Sequence, residues 1–115
     1  MHELYKLFLI VLFITFATLT ISSLHIETKE EFVINLQNRI FTPSHITIPP
    51  NTKVKLIINN LDDSVEEFES TDLKKERLIP ANSMISTTIG PLAPGIYNFV
   101  GEFHKDTAHG KIEVK

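Results

Sequence analysis

The stretch that decides the fold is YNFVGEFHKDTAHGKIEV, residues 97–114, which has the pattern of two strands joined by a short polar loop. Tyr97 and Phe99 lie on one face at the strand period of two, and Ile112 and Val114 repeat the pattern near the end of the chain. Since a loop between two packed strands is a rigid mount for ligands, its polar side chains are candidate metal ligands. A solvated turn is the alternative. The residues concerned are Glu102, His104, Asp106 and His109.

Similar strand patterns recur between residues 32 and 89, with turn residues between them. The strongest lies over residues 54–60, and the strand over residues 45–48 is ended by two prolines, which do not fit a central strand. Residues 73–77 are consistent with either one helical turn or a strand. Short strands spaced roughly every 8–12 residues, with turn signals between them, are typical of a β-sandwich. The sequence therefore predicts an all-β fold.

The N-terminal residues predict export. Residues 7–21 are apolar except for threonines, with Lys6 before them and Ser22-Ser23 after them, as in a secretory signal peptide. Extended to Ile26, the apolar run approaches the length that spans a bilayer, so an uncleaved N-terminal anchor is the alternative. Either interpretation assigns residues 1–26 to the leader and residues 27–115 to one periplasmic domain, soluble or tethered to the inner membrane.

Composition excludes several classes of protein. The net charge is −3 and there is no basic patch, so nucleic acid is not an expected partner. The chain has no cysteine, which excludes disulfides, cysteine-ligated zinc, iron–sulfur clusters and a type 1 blue copper centre. No glycine-rich phosphate loop or serine nucleophile motif is present.

The run Tyr-x-Phe-x-Gly-x-x-His…Gly-x-Ile-x-Val resembles the C-terminal end of a cupredoxin. In that family a cysteine ligand precedes a histidine ligand by three residues, and a methionine precedes a glycine by two. Gly101 stands in place of the cysteine and Ala108 in place of the methionine, while His104 and Gly110 match. Residues 41–60 also have the cupredoxin layout of a proline-flanked strand followed by a strand that ends in asparagine.

The sequence is most similar to a cysteine-free cupredoxin-like branch associated with bacterial ferrous-iron uptake. Three signatures carry this likeness, at residues 66–73, 90–97 and 101–110, and it covers residues 31–115. It implies a cupredoxin-like Greek-key β-sandwich that binds copper, iron or both and works with a membrane iron permease. It also implies either copper-dependent oxidation of Fe(II) or delivery of iron to that permease. A copper-buffering protein and a metal-free interaction domain are the alternatives.

The predicted metal ligands combine imidazole with carboxylate. Imidazole is the commonest protein ligand for copper, iron and zinc, and cupredoxins place their first ligand soon after the asparagine-ended strand, where this chain offers glutamate. A site without thiolate is hard and should prefer Cu(II), iron or manganese to Cu(I). Asp106 is predicted to orient a ligating histidine through its second ring nitrogen. The predicted ligands, ranked from the first choice to the last, are His104, Glu67, His109, Glu69 and Glu102.

Other polar and apolar residues are predicted to be structural. Asp62, Asp63 and Glu66 are expected in a solvated acidic loop. Met84 is expected in the core, where methionine commonly fills gaps. His45 is expected to have no partner and no ligand role.

Overall fold

The computed structural model describes residues 29–115, so the predicted leader, residues 1–26, lies outside the described residues. Within residues 29–115 no helix is long and apolar enough to cross a membrane. This part of the chain forms nine strands. They are β1 (Glu31–Gln37), β2 (Ile40–Thr42), β3 (His45–Ile48), β4 (Val54–Asn60), β5 (Glu66–Ser70), β6 (Lys75–Ile79), β7 (Ser83–Ile89), β8 (Gly95–Gly101) and β9 (His109–Val114).

The strands form two sheets that pack face to face. One has the order β2-β1-β4-β7 and the other the order β3-β9-β8-β5-β6. Two pairs, β1 with β4 and β3 with β9, are parallel, and the remaining pairs are antiparallel. The predicted all-β sandwich is therefore confirmed. Of the two alternatives for residues 73–77, the structure has a strand from Lys75 onward, because β6 pairs along the whole of β5, while Leu73 and Lys74 belong to the turn before it.

The core lies between the sheets and follows the period-two pattern of the strands. Along β4 every second residue is buried, and β9 buries Ile112 and Val114 in the same way. Three phenylalanines form the centre, with ring centroids 5.3 Å apart for Phe41 and Phe99 and 5.1 Å apart for Phe68 and Phe99. Burying each ring stabilises the fold by about 1.5–3 kcal/mol. Phe99 therefore links the strand before the polar loop to both sheets.

The asparagine that ends β4 fixes the path of the chain into β5. Asn60 is 1% exposed, and its side-chain amide donates to the carbonyls of Ser64 at 2.9 Å, Ile79 at 3.1 Å and Pro80 at 3.2 Å. Its side-chain oxygen accepts from the backbone N–H of Asp62 at 3.1 Å. Because these bonds hold the connection against the end of β6, β5 begins at a fixed place beside β8.

The structural expectations for Asp62 and Met84 were wrong. Asp62 is half-buried, and its carboxylate accepts from the backbone N–H groups of Asn38 and Arg39 at 2.7 and 2.9 Å, so it fastens the β1–β2 turn. Met84 is 62% exposed. The alternation of β7 directs Ile85, Thr87 and Ile89 inward, so Met84 faces outward.

Candidate metal centre

A buried carboxylate bonded to a histidine lies at one end of the sandwich. Glu66, the first residue of β5, is 1% exposed. Its Oε1 accepts from the backbone N–H groups of Glu67 at 3.0 Å and Phe103 at 2.9 Å. Its Oε2 lies 2.5 Å from Nδ1 of His104. The carboxylate is thus satisfied by three donors, which is what a buried charged group requires.

A short turn positions the histidine. Residues Glu102–His104 form one turn of 3-10 helix directly after β8. The His104 carbonyl accepts from the backbone N–H of Ala108 at 2.8 Å, and the Ala108 carbonyl accepts from Gly101 at 2.8 Å. These bonds close the loop between β8 and β9. The His104 side chain contacts Glu66 and is 22% exposed, so only a small part of it is accessible to solvent.

Close packing at Gly101 seals the inner side of this pair. A Cβ atom on Gly101 would lie 2.8 Å from the Cβ of Ala108 and 2.8 Å from Cδ of Glu66. Ala108 is fully buried. The positions that match the cupredoxin cysteine, histidine and methionine therefore converge on the Glu66 carboxylate. We call this group of Glu66, Gly101, His104 and Ala108 the loop corner.

The structure corrects the expected exposure of Glu66. It is Glu66, not Glu67, whose carboxylate contacts His104. The alternation along β5 turns Glu66, Phe68 and Ser70 inward, while Glu67 and Glu69 face outward. The sequence carried a signal for this, since Glu66 shares a face with Phe68. The metal-ligand roles of Glu67 and Glu69 stay predictions.

Glu69 and Glu102 meet on the outer face of the second sheet. The hydrogen bond to Glu102, together with burial and the Glu102 and Glu76 charges, raises the pKa of Glu69 above its usual value. The same hydrogen bond, followed by that to Lys105, lowers the pKa of Glu102. Lys105 Nζ lies 3.1 Å from Glu102 Oε1. The two carboxyl groups thus lie close to each other and to a lysine.

The remaining predicted site residues lie on the surface. His109 is exposed at the start of β9, opposite Val100, and lines a shallow cleft with His45. His45 has a partner, contrary to expectation, because its Nε2 lies 2.9 Å from Oε2 of Glu113. Asp106 is exposed, and the residue that contacts the His104 ring is Glu66.

The donor chemistry of the loop corner suits a hard metal ion. Residues 29–115 contain no group of three or more His, Asp or Glu side chains gathered closely enough to hold a metal. Glu66 and His104 supply one carboxylate oxygen and one imidazole nitrogen, a set that fits Cu(II), iron or manganese better than Cu(I). Since these two atoms are in direct contact, an ion binding both would displace the proton between them. Without a thiolate, the corner does not fit a type 1 copper centre.

Fold and site together define a β-sandwich with a histidine–carboxylate pair at the end of the β8–β9 loop. The family model for the cupredoxin-like domain matches residues 8–114, and the chain belongs to this family. Protein RP394 of Rickettsia prowazekii (strain Madrid E) is 43% identical over 84 residues, covering 73% of this chain and 67% of that protein.

Several solved structures, two of them of proteins named for copper, share the fold. The metal-binding domain of the Cu(I)-exporting P-type ATPase CopA of Streptococcus pneumoniae D39, with Cu(I), matches with a TM-score of 0.68 and 14% identity over 79% of this chain and 91% of that one. Auracyanin B matches with a TM-score of 0.67 and 15% identity, over 79% of this chain and 93% of that one. Auracyanin A, a blue copper protein of Chloroflexus aurantiacus, matches with a TM-score of 0.65 and 13% identity, over 76% of this chain and 100% of that one. At these identities the similarity shows the fold alone.

Proposed function

We propose that this protein is an exported cupredoxin-family protein that binds Cu(II), iron or both at Glu66 and His104, in support of ferrous-iron uptake. The observation that carries the proposal is the buried Glu66 carboxylate bonded to a partly exposed imidazole. Glu66 thereby takes the role that the sequence pattern gave to Glu67. Glu67, Glu69, Glu102 and His109 lie apart from this pair and remain separate candidates.

The choice of metal follows from the donors and from the relatives. Two proteins of similar fold are named for copper, which supports copper as the metal of this site. The oxygen–nitrogen donor pair favours Cu(II) over Cu(I). The three sequence signatures support iron uptake and a membrane iron permease as partner. When bound, Cu(II) supplies a one-electron acceptor for Fe(II). The protein's own residues hold the two donors together, since the backbone N–H groups of Glu67 and Phe103 fix the Glu66 carboxylate against Nδ1 of His104.

Cu(II) added to the protein is expected to give weak visible absorption and a type 2 electron paramagnetic resonance spectrum. The physical reason is the absence of cysteine, because the intense blue band arises from thiolate-to-copper charge transfer. Titration with Cu(II) while both spectra are recorded is the measurement. An intense blue band would contradict the assigned donor set.

Replacing His104 by alanine is expected to lower Cu(II) or iron affinity by more than about 100-fold, since loss of groups that merely support a ligand costs roughly 10–100-fold. The matched control is His45→Ala, which removes an imidazole that is also bonded to a glutamate, Glu113, and should leave affinity unchanged. Isothermal titration calorimetry measures both. Affinity should also fall at acidic pH, because protons compete with the metal for the imidazole and the carboxylate. If His104→Ala binds as tightly as the parent, the outer-face glutamates become the site to test.

Two competing functions are separated by simple comparisons. A metal-free interaction domain would have the same melting temperature before and after chelation, whereas a metal-binding protein is stabilised by its ion. A copper buffer would bind copper without accelerating Fe(II) oxidation in a stopped-flow experiment. The proposed role in iron uptake requires either that acceleration or a copper-independent transfer of bound iron.

A further inference from the structure

The sandwich begins at the end opposite the loop corner. β1 starts there at Glu31, because it runs parallel to β4, and β4 ends beside the loop corner. Residues 49–53 and 90–95 close the same end, joined by a hydrogen bond from the Asn51 N–H to the Leu92 carbonyl at 2.9 Å. We call these two segments, together with the start of β1, the base.

The base carries an exposed apolar segment at residues 91–96, PLAPGI, which contains no charged side chain. Ala93 and Pro94 are exposed, and Ile96 is 49% exposed. The segment is held in place, since the Tyr97 hydroxyl donates to the Ala93 carbonyl at 2.8 Å. Contiguous exposed apolar surface marks a site of contact with protein or membrane, whereas scattered apolar residues do not.

A short connection links the base to the apolar N-terminal run. Glu30 is fixed to the sandwich, since its carbonyl accepts from the backbone N–H of Lys55 at 2.9 Å. The apolar run ends at Ile26, so four peptide steps separate it from Glu30. Those steps extend to about 14 Å at most. Residues 7–26 are close to the length that spans a bilayer, and a run that spans it would hold the base at the lipid surface.

We propose that residues 7–26 are retained as a membrane anchor and that the base rests on the lipid surface through residues 91–96. The residues after the apolar core, SSLHI at 22–26, lack the Ala-x-Ala pattern at which signal peptides are cleaved. β8 leads from the base to the loop corner over its seven residues, about 20 Å. The loop corner therefore faces away from the membrane.

Charge also favours the base as the lipid-facing end. At the base, Glu31 is paired with Lys55 at 3.4 Å. Lys29 and Lys53 also lie there, against Glu30, so this end is not acidic. At the loop-corner end carboxylates outnumber cations, and anionic lipid headgroups would repel them. The charged residues at that end, besides Glu66, are Asp62, Asp63, Glu67, Glu102 and Asp106 against Arg39 and Lys105.

The absence of cysteine allows a position-specific test. Ala93→Cys puts one thiol at the base, and Thr107→Cys, the matched control, puts one in the loop between β8 and β9, both at exposed positions. Each full-length variant is labelled with a fluorophore and reconstituted, with chelator present, into phosphatidylethanolamine–phosphatidylglycerol vesicles that carry nitroxide-labelled headgroups. We expect strong quenching of the label at residue 93 and little at residue 107, because nitroxide quenching is short-ranged.

The N-terminus of the expressed chain tests the anchor. Chain recovered from the membrane fraction of a Gram-negative host should begin at Met1, or at His2 after removal of the methionine. Recovery in the soluble fraction with a new N-terminus between residues 22 and 27 would overturn the anchor. Equal quenching of the two labels, or stronger quenching at residue 107, would overturn the base as the lipid-facing end; weak quenching of both would assign the apolar segment to a protein partner instead. Neither readout involves a metal, so these failures are distinct from failure of the proposed metal site.

Discussion

Replacing Glu66 by alanine is expected to lower the free energy of unfolding by about 3–5 kcal/mol, the usual cost of removing one partner of a buried pair. The carboxylate is 1% exposed and accepts three bonds. Its loss would leave the N–H groups of Glu67 and Phe103 and the His104 ring without an acceptor, at about 1–3 kcal/mol for each group that stays buried. Urea unfolding followed by circular dichroism measures the change.

Glu67→Ala is the control for this prediction, because it removes the same side chain one residue along the same strand. Glu67 is half-exposed on the outer face of β5, so its removal should change stability by less than about 0.5 kcal/mol. The same two variants also test which glutamate binds the metal. The proposed site predicts that Glu66→Ala loses Cu(II) affinity and Glu67→Ala keeps it, and the reverse result would favour the ligand role predicted for Glu67. Equal unfolding midpoints for the two variants would show that the Glu66 carboxylate does not hold the loop corner together.

The fold was predictable because strand burial is a local, period-two property. In β4 the apolar residues Val54, Leu56 and Ile58 alternate with less buried ones, and the structure buries those three. β9 repeats the pattern at Ile112 and Val114. Since prolines and glycines mark where such runs end, the sequence suffices to predict a β-sandwich.

The loop corner was only partly predictable, because its contacts join distant parts of the chain. Glu66 bonds to His104, 38 residues later, and His45 bonds to Glu113, 68 residues later. Glutamate is rarely buried unless paired, so without knowledge of its partner the residue type favours exposure. The expectation for Met84 was wrong for a different reason, since it followed from residue type, whereas the alternation of β7 directs Ile85 inward and Met84 outward.

Replacing Gly101 by alanine is expected to destabilise the protein by about 1–3 kcal/mol, the typical cost of overpacking a closed core. The new Cβ would lie 2.8 Å from the Cβ of Ala108 and 2.8 Å from Cδ of Glu66. Neither neighbour can move freely. Ala108 is fully buried and bonded through its backbone to Gly101 and His104, and Glu66 accepts three hydrogen bonds.

A double-mutant cycle tests whether this clash is the cause. Ala108→Gly removes one of the two atoms that the new Cβ would meet, so the pair Gly101→Ala with Ala108→Gly should be more stable than the sum of the single changes by at least about 0.5 kcal/mol. Additive effects would show that the corner relaxes around the extra atom. A cysteine has the same Cβ, so Gly101→Cys should be destabilised in the same way and should not by itself give a blue copper centre. The space that a cysteine ligand would need at this position is already filled by Glu66 and Ala108.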